Sequence, residues 1–566
     1  MPNEALSLRT VIHGASARRR RVHVDAWSVV ALAVAAAIAV PLVAVFWLAL
    51  FPSDDIWPHL MTTVLPRYVR TTLLLVLGVG IATLIVGVAA AWLVTLCRFP
   101  GQRLFEWALL LPLAMPAYVV AYVYTDLLEY AGPVQSTLRD TFAWTSPRQY
   151  WFPEIRSLGG AVAMLSLVLY PYVYLLARAA FLEQSVCVLE VSRTLGRGPW
   201  ASFFRVALPL ARPAIVVGVS LVMMEALNDF GTVQHFAVST LTAGVYDIWL
   251  NMSSTSGAAQ LSLVMLAFVI VLLTMERLAR RGRRFHHTTG RYRQLPSYRL
   301  KGARACVAGL VCTLPIFFGF VVPAAVLVLY TTRVALDSFD GRFTEYLLNS
   351  LTLSATAAFL TLGVGLLLAY AARIGRGPML AAATRFSGIG YALPGALLAV
   401  GIIVPFAAFD NGLDQVMRHT FGISTGLLLS GTLAALAFGF AVRFLALSLG
   451  ACEAGLAKVT PGMDAAARSL GLGPLRMLAR VHLPIIRASL LTAAILVFVD
   501  GMKELPMTVL LRPFNFETLA THVYRYASHE QFEQSAAGAL AIVAFGMLPV
   551  VLLSKTIRRG RPGEGR

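Results

Sequence analysis

The chain has 566 residues, of which 58% are hydrophobic and only 13% are charged, and its mean hydropathy is +0.73. Soluble domains carry about 25% charged residues, so this composition excludes an ordinary soluble protein and indicates helices in a lipid bilayer. The net charge of +19 could indicate nucleic-acid binding. The distribution of the basic residues excludes that partner, because it follows the predicted membrane topology.

Apolar segments recur along the whole chain, each close to the ~20 residues that cross a bilayer core. The first half is predicted to have spans at 27–50, 70–96, 104–127, 159–182, 211–230 and 258–276. The second half is predicted to have spans at 303–331, 347–372, 380–407, 425–450, 486–505 and 536–554. The predicted fold class is therefore all-α integral membrane, with about twelve spans.

The segments outside the spans are rich in Lys and Arg. The sequence predicts a basic tail over 1–26, a first half over 27–276, a basic linker over 277–302, a second half over 303–554 and a tail over 555–566. If the N-terminus is cytoplasmic, most of the 47 Lys and Arg fall on the cytoplasmic side, as the positive-inside rule requires. We therefore expect both termini and the linker to be cytoplasmic.

The two halves repeat each other. Residues 68–73 read YVRTTL before span two, and residues 346–351 read YLLNSL before span eight, 278 positions later. The same offset relates Met115-Pro116-Ala117 in span three to Leu393-Pro394-Gly395 in span nine. An even number of spans in each half makes the two halves parallel, related by an axis along the membrane normal. A substrate pathway between them is the natural expectation.

Two loops between the fourth and fifth spans of each half share one pattern. Within 183–209, residues 190–199 read EVSRTLGRGP and the loop closes with Leu-Pro; within 451–484, residues 464–474 read DAAARSLGLGP with the same closing pair. The glycine suits a left-handed helix cap, and the proline suits the first turn of a following helix. We expect two short cytoplasmic helices in each loop, the second of which is ended by the Leu-Pro pair.

These loops resemble the EAA loop of ABC importer permeases, in which an acid, two alanines, a glycine and a Leu-Pro dock on the ATPase subunit. The resemblance implies a type I importer permease of the binding-protein-dependent transport family. In the second loop the acid is displaced by one residue from the family position: Ala465 occupies that position, and Asp464 precedes it. The resemblance assigns ATPase coupling to Glu190, Gly196, Leu208, Pro209, Asp464, Gly471, Leu483 and Pro484.

The chain has no glycine-rich phosphate loop ending in Gly-Lys-Ser/Thr. We therefore expect no ATPase site and no enzymatic activity in this chain, and no cofactor bound to it. ATP would be used by separate ATPase subunits, expected in two copies, and substrate would come from an extracytoplasmic binding protein. The resemblance places the chain in a bacterial inner membrane.

Three further segments resemble ferric-iron importer permeases. Residues 170–178 read YPYVYLLAR, residues 228–233 read NDFGTV, and residues 503–506 read KELP. Permeases for thiamine, phosphonate or polyamine are related alternatives within the class. An ion-coupled secondary transporter is an alternative from another class, since it too uses repeats and buried acids.

Two pairs of acids suggest a cation pathway independently of the resemblance. Glu225 and Asp229, like Asp500 and Glu504 at an offset of 275, lie four residues apart and so share a helix face. Acids in membrane spans usually face a cavity or a partner, and their oxygens suit hard cations. We expect transient contact near the outer half of the membrane and no tight metal site. Ion pairing with nearby bases such as Lys503 is the alternative.

Three tyrosines in span four could add phenolic oxygens to the pathway: Tyr170, Tyr172 and Tyr174. Packing in a proline-kinked helix is the alternative. The five cysteines show no metal-ligand spacing, so we expect none of them to bind a metal.

Overall fold

The computed structural model describes residues 26–182, 184, 194–195, 198–280, 298–334, 341–375 and 378–559. Within these residues eleven helices are long and apolar enough to cross a bilayer, and one bent pair supplies a twelfth crossing. The crossings are Trp27–Leu50, Leu65–Leu96, the pair Gln102–Ala114 and Ala117–Phe142, Leu158–Leu182, Trp200–Asn228, Thr255–Met275, Ala303–Arg333, Arg342–Ile374, Gly395–Phe421, Leu433–Leu456, Pro474–Lys503 and Phe532–Leu552. We number these segments as spans one to twelve in chain order. The all-α membrane fold is confirmed.

Spans three and nine are broken, which corrects the prediction of continuous helices over 104–127 and 380–407. Span three bends by 88° between Ala114 and Ala117. Span nine proper begins at Gly395, after a separate helix, Pro378–Ser387, and a short 3-10 turn. A proline follows an extended residue at each break, because proline lacks an N–H and excludes the helical conformation from the residue before it.

The predicted start of span ten, at residue 425, is also wrong. Span nine continues to Phe421, and span ten begins only at Leu433. The connection is fastened to span nine by Asp410, whose carboxylate accepts hydrogen bonds from the backbone N–H groups of Leu429 and Ser430 at 3.1 and 2.7 Å. Because of these tertiary hydrogen bonds, the segment around residues 425–432 forms a loop, although its composition is apolar enough to resemble part of a span.

The first span of each half packs against the other half. Span one lies along span nine, and span seven lies against spans two, three and four. A Cβ atom at Gly401 would collide with the carbonyl oxygen of Pro41, and one at Gly319 would lie 2.7 Å from the carbonyl oxygen of Leu167. Only glycine allows these close approaches, so the two halves interlock.

The internal repeat appears again in the packing. In the first half, a Cβ at Gly87 of span two would lie 3.0 Å from the backbone nitrogen of Tyr174 in span four. In the second half, a Cβ at Gly365 of span eight would lie 3.0 Å from the backbone nitrogen of Leu449 in span ten. The same close helix pair therefore forms the centre of both halves.

The inter-half linker emerges beside the first half. Cys97 and Arg98, just after span two, pair in parallel with Tyr298 and Arg299. This short pairing holds the end of the linker beside the C-terminal end of span two.

Candidate functional site: a cavity between the halves

Spans five and eleven end in the same way. Each helix stops one residue before an acid in an extended conformation, Asp229 or Glu504, and a short helix follows. Asp229 accepts hydrogen bonds from the N–H groups of Thr232 and Val233 at 3.0 and 3.2 Å. Asp229 thus satisfies two donors at the start of a helix, which is the usual role of a capping acid.

Glu504 caps the helix Pro506–Leu511 in the second half. It accepts from the N–H groups of Met507 and Thr508 at 3.2 and 3.1 Å. It also forms an ion pair with Arg443 of span ten, with 3.2 Å between Nη1 and Oε1. The Glu504 side chain is only 2% exposed. The position of Arg443 in the repeat corresponds to Val168 in the first half, so this pair belongs to one half alone.

The other two acids have different partners. Asp500 forms an ion pair with Lys503 at 3.1 Å, as the alternative interpretation expected for this residue. Glu225 accepts a hydrogen bond of 2.9 Å from the hydroxyl of Tyr391, and it has no ion pair among the described residues. Glu225 is therefore the acid of the four that neither caps a helix nor pairs with a base in the part of the chain that the structure describes.

All four acids line one cavity of about 140 Å³, together with Arg443, Lys503, Tyr172 and Tyr391. The cavity lies between spans of both halves, so the structure brings the two acid pairs together. The hydroxyl of Tyr118 and the Oδ1 atom of Asn228, both in the buried wall, have no hydrogen-bond partner among the described residues. Such groups are free to contact a passing ligand or water.

The three tyrosines of span four separate into two groups. Tyr172 lines the cavity. The hydroxyls of Tyr170 and Tyr174 donate to the backbone oxygens of Leu109 and Glu106, each at 2.9 Å, and both rings are buried away from the cavity. These two side chains tie span four to the broken span three.

Across the described ranges, no three His, Cys, Asp or Glu side chains lie close enough to hold a metal ion together. The acids of the cavity are thus spaced as separate contacts rather than as a chelating set.

We call the loops over 183–209 and 451–484 the first and second coupling loops, after the role expected of them. The second contains the predicted short helix, Pro461–Ser469. Gly471 follows it with a φ of +75°, and the N–H groups of Gly471 and Leu472 donate to the carbonyls of Arg468 and Ala467. This is a Schellman cap, and it confirms the left-handed conformation expected for Gly471. Glu190 and Gly196 of the first loop lie outside the described residues.

The expectation that the Leu-Pro pairs end a helix is wrong. Helices continue through Leu208-Pro209 and Leu483-Pro484 into spans five and eleven. A turn of π-helix precedes each pair, in which the N–H of Leu208 donates to the carbonyl of Phe203. This wider turn shifts the hydrogen-bond register just where proline has no N–H to donate, so the helix is not interrupted.

Large apolar side chains are exposed on both coupling loops. Trp200 is 72% exposed and Leu195 69% in the first loop, and Leu470 is 80% exposed and Leu475 67% in the second. Exposed apolar groups clustered in this way are typical of a surface that a partner covers.

Comparison with known proteins identifies the class. Residues 83–284 match the family described as the inner membrane component of binding-protein-dependent transport systems. The Fe(3+)-transport system permease protein FbpB 2 of Haemophilus influenzae is 26% identical over 86% of this chain and 88% of its own length. The molybdenum transport system permease protein ModB of Escherichia coli is 32% identical over 34% of this chain and 84% of its own.

This chain belongs to that permease family. It is a multi-pass membrane protein and the permease subunit of an ABC transporter, a family that works with ATPase and substrate-binding partners. A third relative, the sulfate transport system permease protein CysT of Escherichia coli, is 30% identical over 30% of this chain and 57% of its own length. The relatives thus agree on the type of transporter and differ in substrate.

The permease should lose coupling when Gly471 is replaced by valine. A β-branched side chain at a φ of +75° costs about 1–2 kcal/mol, which would displace the helix Pro461–Ser469. We expect substrate-driven ATP hydrolysis by the assembled transporter to fall several-fold while the chain still inserts in the membrane.

The matched control for that variant is Gly473→Val. Gly473 has a φ of −69° and open space around its Cβ position, so valine fits there without strain. Equal activity of the two variants would show that the left-handed cap has no part in coupling.

Proposed function

We propose that this permease translocates ferric iron, which an extracytoplasmic binding protein delivers and separate ATPase subunits energise. Three observations support iron as the substrate. The relative named for Fe(3+) transport aligns over both halves of the chain. The segments at 170–178 and 503–506 resemble iron permeases, and the described residues that line the cavity include four acids and two bases.

The charges that line the cavity are the strongest support for a cation as the substrate. Both bases of the cavity are already paired, Arg443 with Glu504 and Lys503 with Asp500. Glu225 contributes a carboxylate held by a single tyrosine hydroxyl. A cation entering the cavity would therefore meet a carboxylate that forms no ion pair with a basic side chain among the described residues.

A permease for an oxyanion is the second candidate. Relatives are named for molybdenum, sulfate and 2-aminoethylphosphonate transport, and Arg443 or Lys503 could hold an anion if its acid partner moved away. Competition separates the candidates: excess molybdate, sulfate or phosphonate should leave ferric uptake unchanged. Competition by an oxyanion would favour the second candidate.

Neutralising Glu225 and Asp500 together should lower ferric uptake about tenfold, which corresponds to about 1.4 kcal/mol. Glutamine at 225 can still accept the hydrogen bond of Tyr391, so the fold is preserved. Uptake of radioactive iron in proteoliposomes is the measurement. Asp140→Asn is the matched control, because it removes an exposed carboxylate that does not line the cavity. An unchanged uptake by the Glu225→Gln, Asp500→Asn variant would show that these acids are structural.

We propose further that the two coupling loops each bind one ATPase subunit on the cytoplasmic side, where both termini lie. A reporter enzyme active only outside the cytoplasm, fused after residue 566, should be inactive. Fusion of the same reporter into the connection between spans nine and ten, after Ser424, should give strong activity. The reverse pattern would overturn this orientation.

A further inference from the structure

Asp464 of the second coupling loop points into the permease. The acid of the family pattern would stand at position 465, where Ala465 is exposed, whereas Asp464 is partly buried. One residue turns a side chain by about 100° around a helix, so the acid has moved from the outer face to the inner face.

Two side chains from two different spans bind the Asp464 carboxylate. Arg373, at the end of span eight, donates from Nε and Nη2 to Oδ2 at 3.1 and 2.8 Å. His482, at the start of span eleven and fully buried, places Nε2 2.8 Å from Oδ1. Partial burial acts to raise the pKa of Asp464, but the hydrogen bonds from His482 and Arg373 outweigh it and hold the pKa below its usual value. The carboxylate is therefore ionised at neutral pH.

Arg373 also holds the end of span ten. Its Nη1 donates to the carbonyl of Leu456 at 2.7 Å, and its Nη2 donates to the carbonyl of Val459 at 2.8 Å. A guanidinium at the C-terminus of a helix satisfies carbonyls that have no partner within the helix. One arginine thus joins spans eight and ten to the coupling helix.

A tyrosine completes the arrangement. The hydroxyl of Tyr370 donates to the carbonyl of Pro474 at 2.5 Å, and its ring lies 5.5 Å from that of His482. We call Tyr370, Arg373, Asp464 and His482 the polar clamp. It connects spans eight, ten and eleven with the helix Pro461–Ser469.

The first half has no such clamp at the corresponding positions. Trp92 replaces Tyr370, Thr95 replaces Arg373 and Ala207 replaces His482. Trp92 instead packs against Phe181 and Phe203, with ring centroids 5.7 and 4.7 Å apart. At these positions, and among the described residues, charged hydrogen bonds hold the second coupling loop, whereas aromatic rings pack at the corresponding place in the first half.

We propose that the polar clamp is the rigid connection through which the second half receives the motion of its ATPase, with Arg373, Asp464 and His482 as positioning residues. Asp464 then holds the coupling helix to spans eight, ten and eleven, and it is not the acid that contacts the ATPase. This proposal rests on the proposed coupling function. Charge-assisted hydrogen bonds have narrow geometry, so the helix and the spans move together.

Hydrogen exchange on the isolated chain tests the clamp without any partner. Arg373→Met should speed amide exchange in the helix Pro461–Ser469 by about tenfold, because its main attachment is lost. Lys458→Met is the control. It removes an exposed positive charge from the turn after span ten, between the two carbonyls that Arg373 binds. Unchanged exchange in Arg373→Met would overturn the clamp. This result does not depend on whether the chain binds an ATPase.

Coupling is then measured in the complex with the cognate ATPase subunit. Arg373→Met and Asp464→Asn should each lower the number of substrate molecules moved per ATP several-fold, with the Kd for the ATPase subunit unchanged. The double variant should be no worse than either single variant, because both remove the same connection. A weaker Kd in Asp464→Asn alone, or additive losses, would show instead that Asp464 is a docking acid.

Discussion

Replacing Arg443 with leucine should lower the free energy of unfolding by about 3–5 kcal/mol. The change would leave Glu504, whose side chain is only 2% exposed, without its charged partner in the cavity wall. Removing one member of a buried pair costs far more than the pair itself contributes, because the remaining charge has lost its hydration. Thermal unfolding of the purified permease in detergent measures the loss.

Two further variants isolate the cause. Arg443→Leu combined with Glu504→Gln should recover much of the stability, since the unpaired charge is gone and an amide oxygen can still accept from the following helix. Arg333→Leu removes an exposed arginine that pairs with Glu533, and it should cost less than about 1 kcal/mol. If Arg443→Leu unfolds at the same temperature as Arg333→Leu, the cavity is hydrated enough to solvate Glu504.

The second large effect is expected from adding an ATPase. The purified permease should not hydrolyse ATP, because the sequence has no glycine-rich loop to hold phosphates. Addition of the cognate ATPase subunit should bring turnover from background to about 1–10 per second. An ATPase subunit whose phosphate-loop lysine is replaced by alanine is the control. ATP turnover that stays with the permease through successive purification steps and needs no partner would contradict the prediction.

Most of the architecture could be predicted from the sequence because its signals are local or repeated. Apolar length alone indicates each crossing, and the matching segments around Met115 and Leu393 reveal the repeat. The glycine at 471 indicated a left-handed cap, and the structure places it at a φ of +75°. A membrane reduces the alternatives, since unpaired backbone groups are costly in the bilayer core.

The features that the sequence did not reveal depend on contacts between distant segments. The π-helical turns before Pro209 and Pro484 leave no pattern in composition, so a stop was predicted where helices continue. The partner of Glu504 is Arg443, some sixty positions away and without a counterpart in the first half. The sequence did indicate that Asp464 faces inward, since the acid is displaced by one residue from the family position. Its partner Arg373 is revealed only by the fold.

We propose above all that this chain forms an ATP-driven ferric-iron permease whose pathway lies between its two halves. The most direct measurement is uptake of radioactive ferric iron into proteoliposomes that contain the permease, its ATPase subunit and its binding protein. We predict uptake only when all three proteins and ATP are present, with a loss of about tenfold in the Glu225→Gln, Asp500→Asn variant. Uptake that needs no ATP and follows an ion gradient would contradict this function, as would iron-independent uptake of an oxyanion by the same complex.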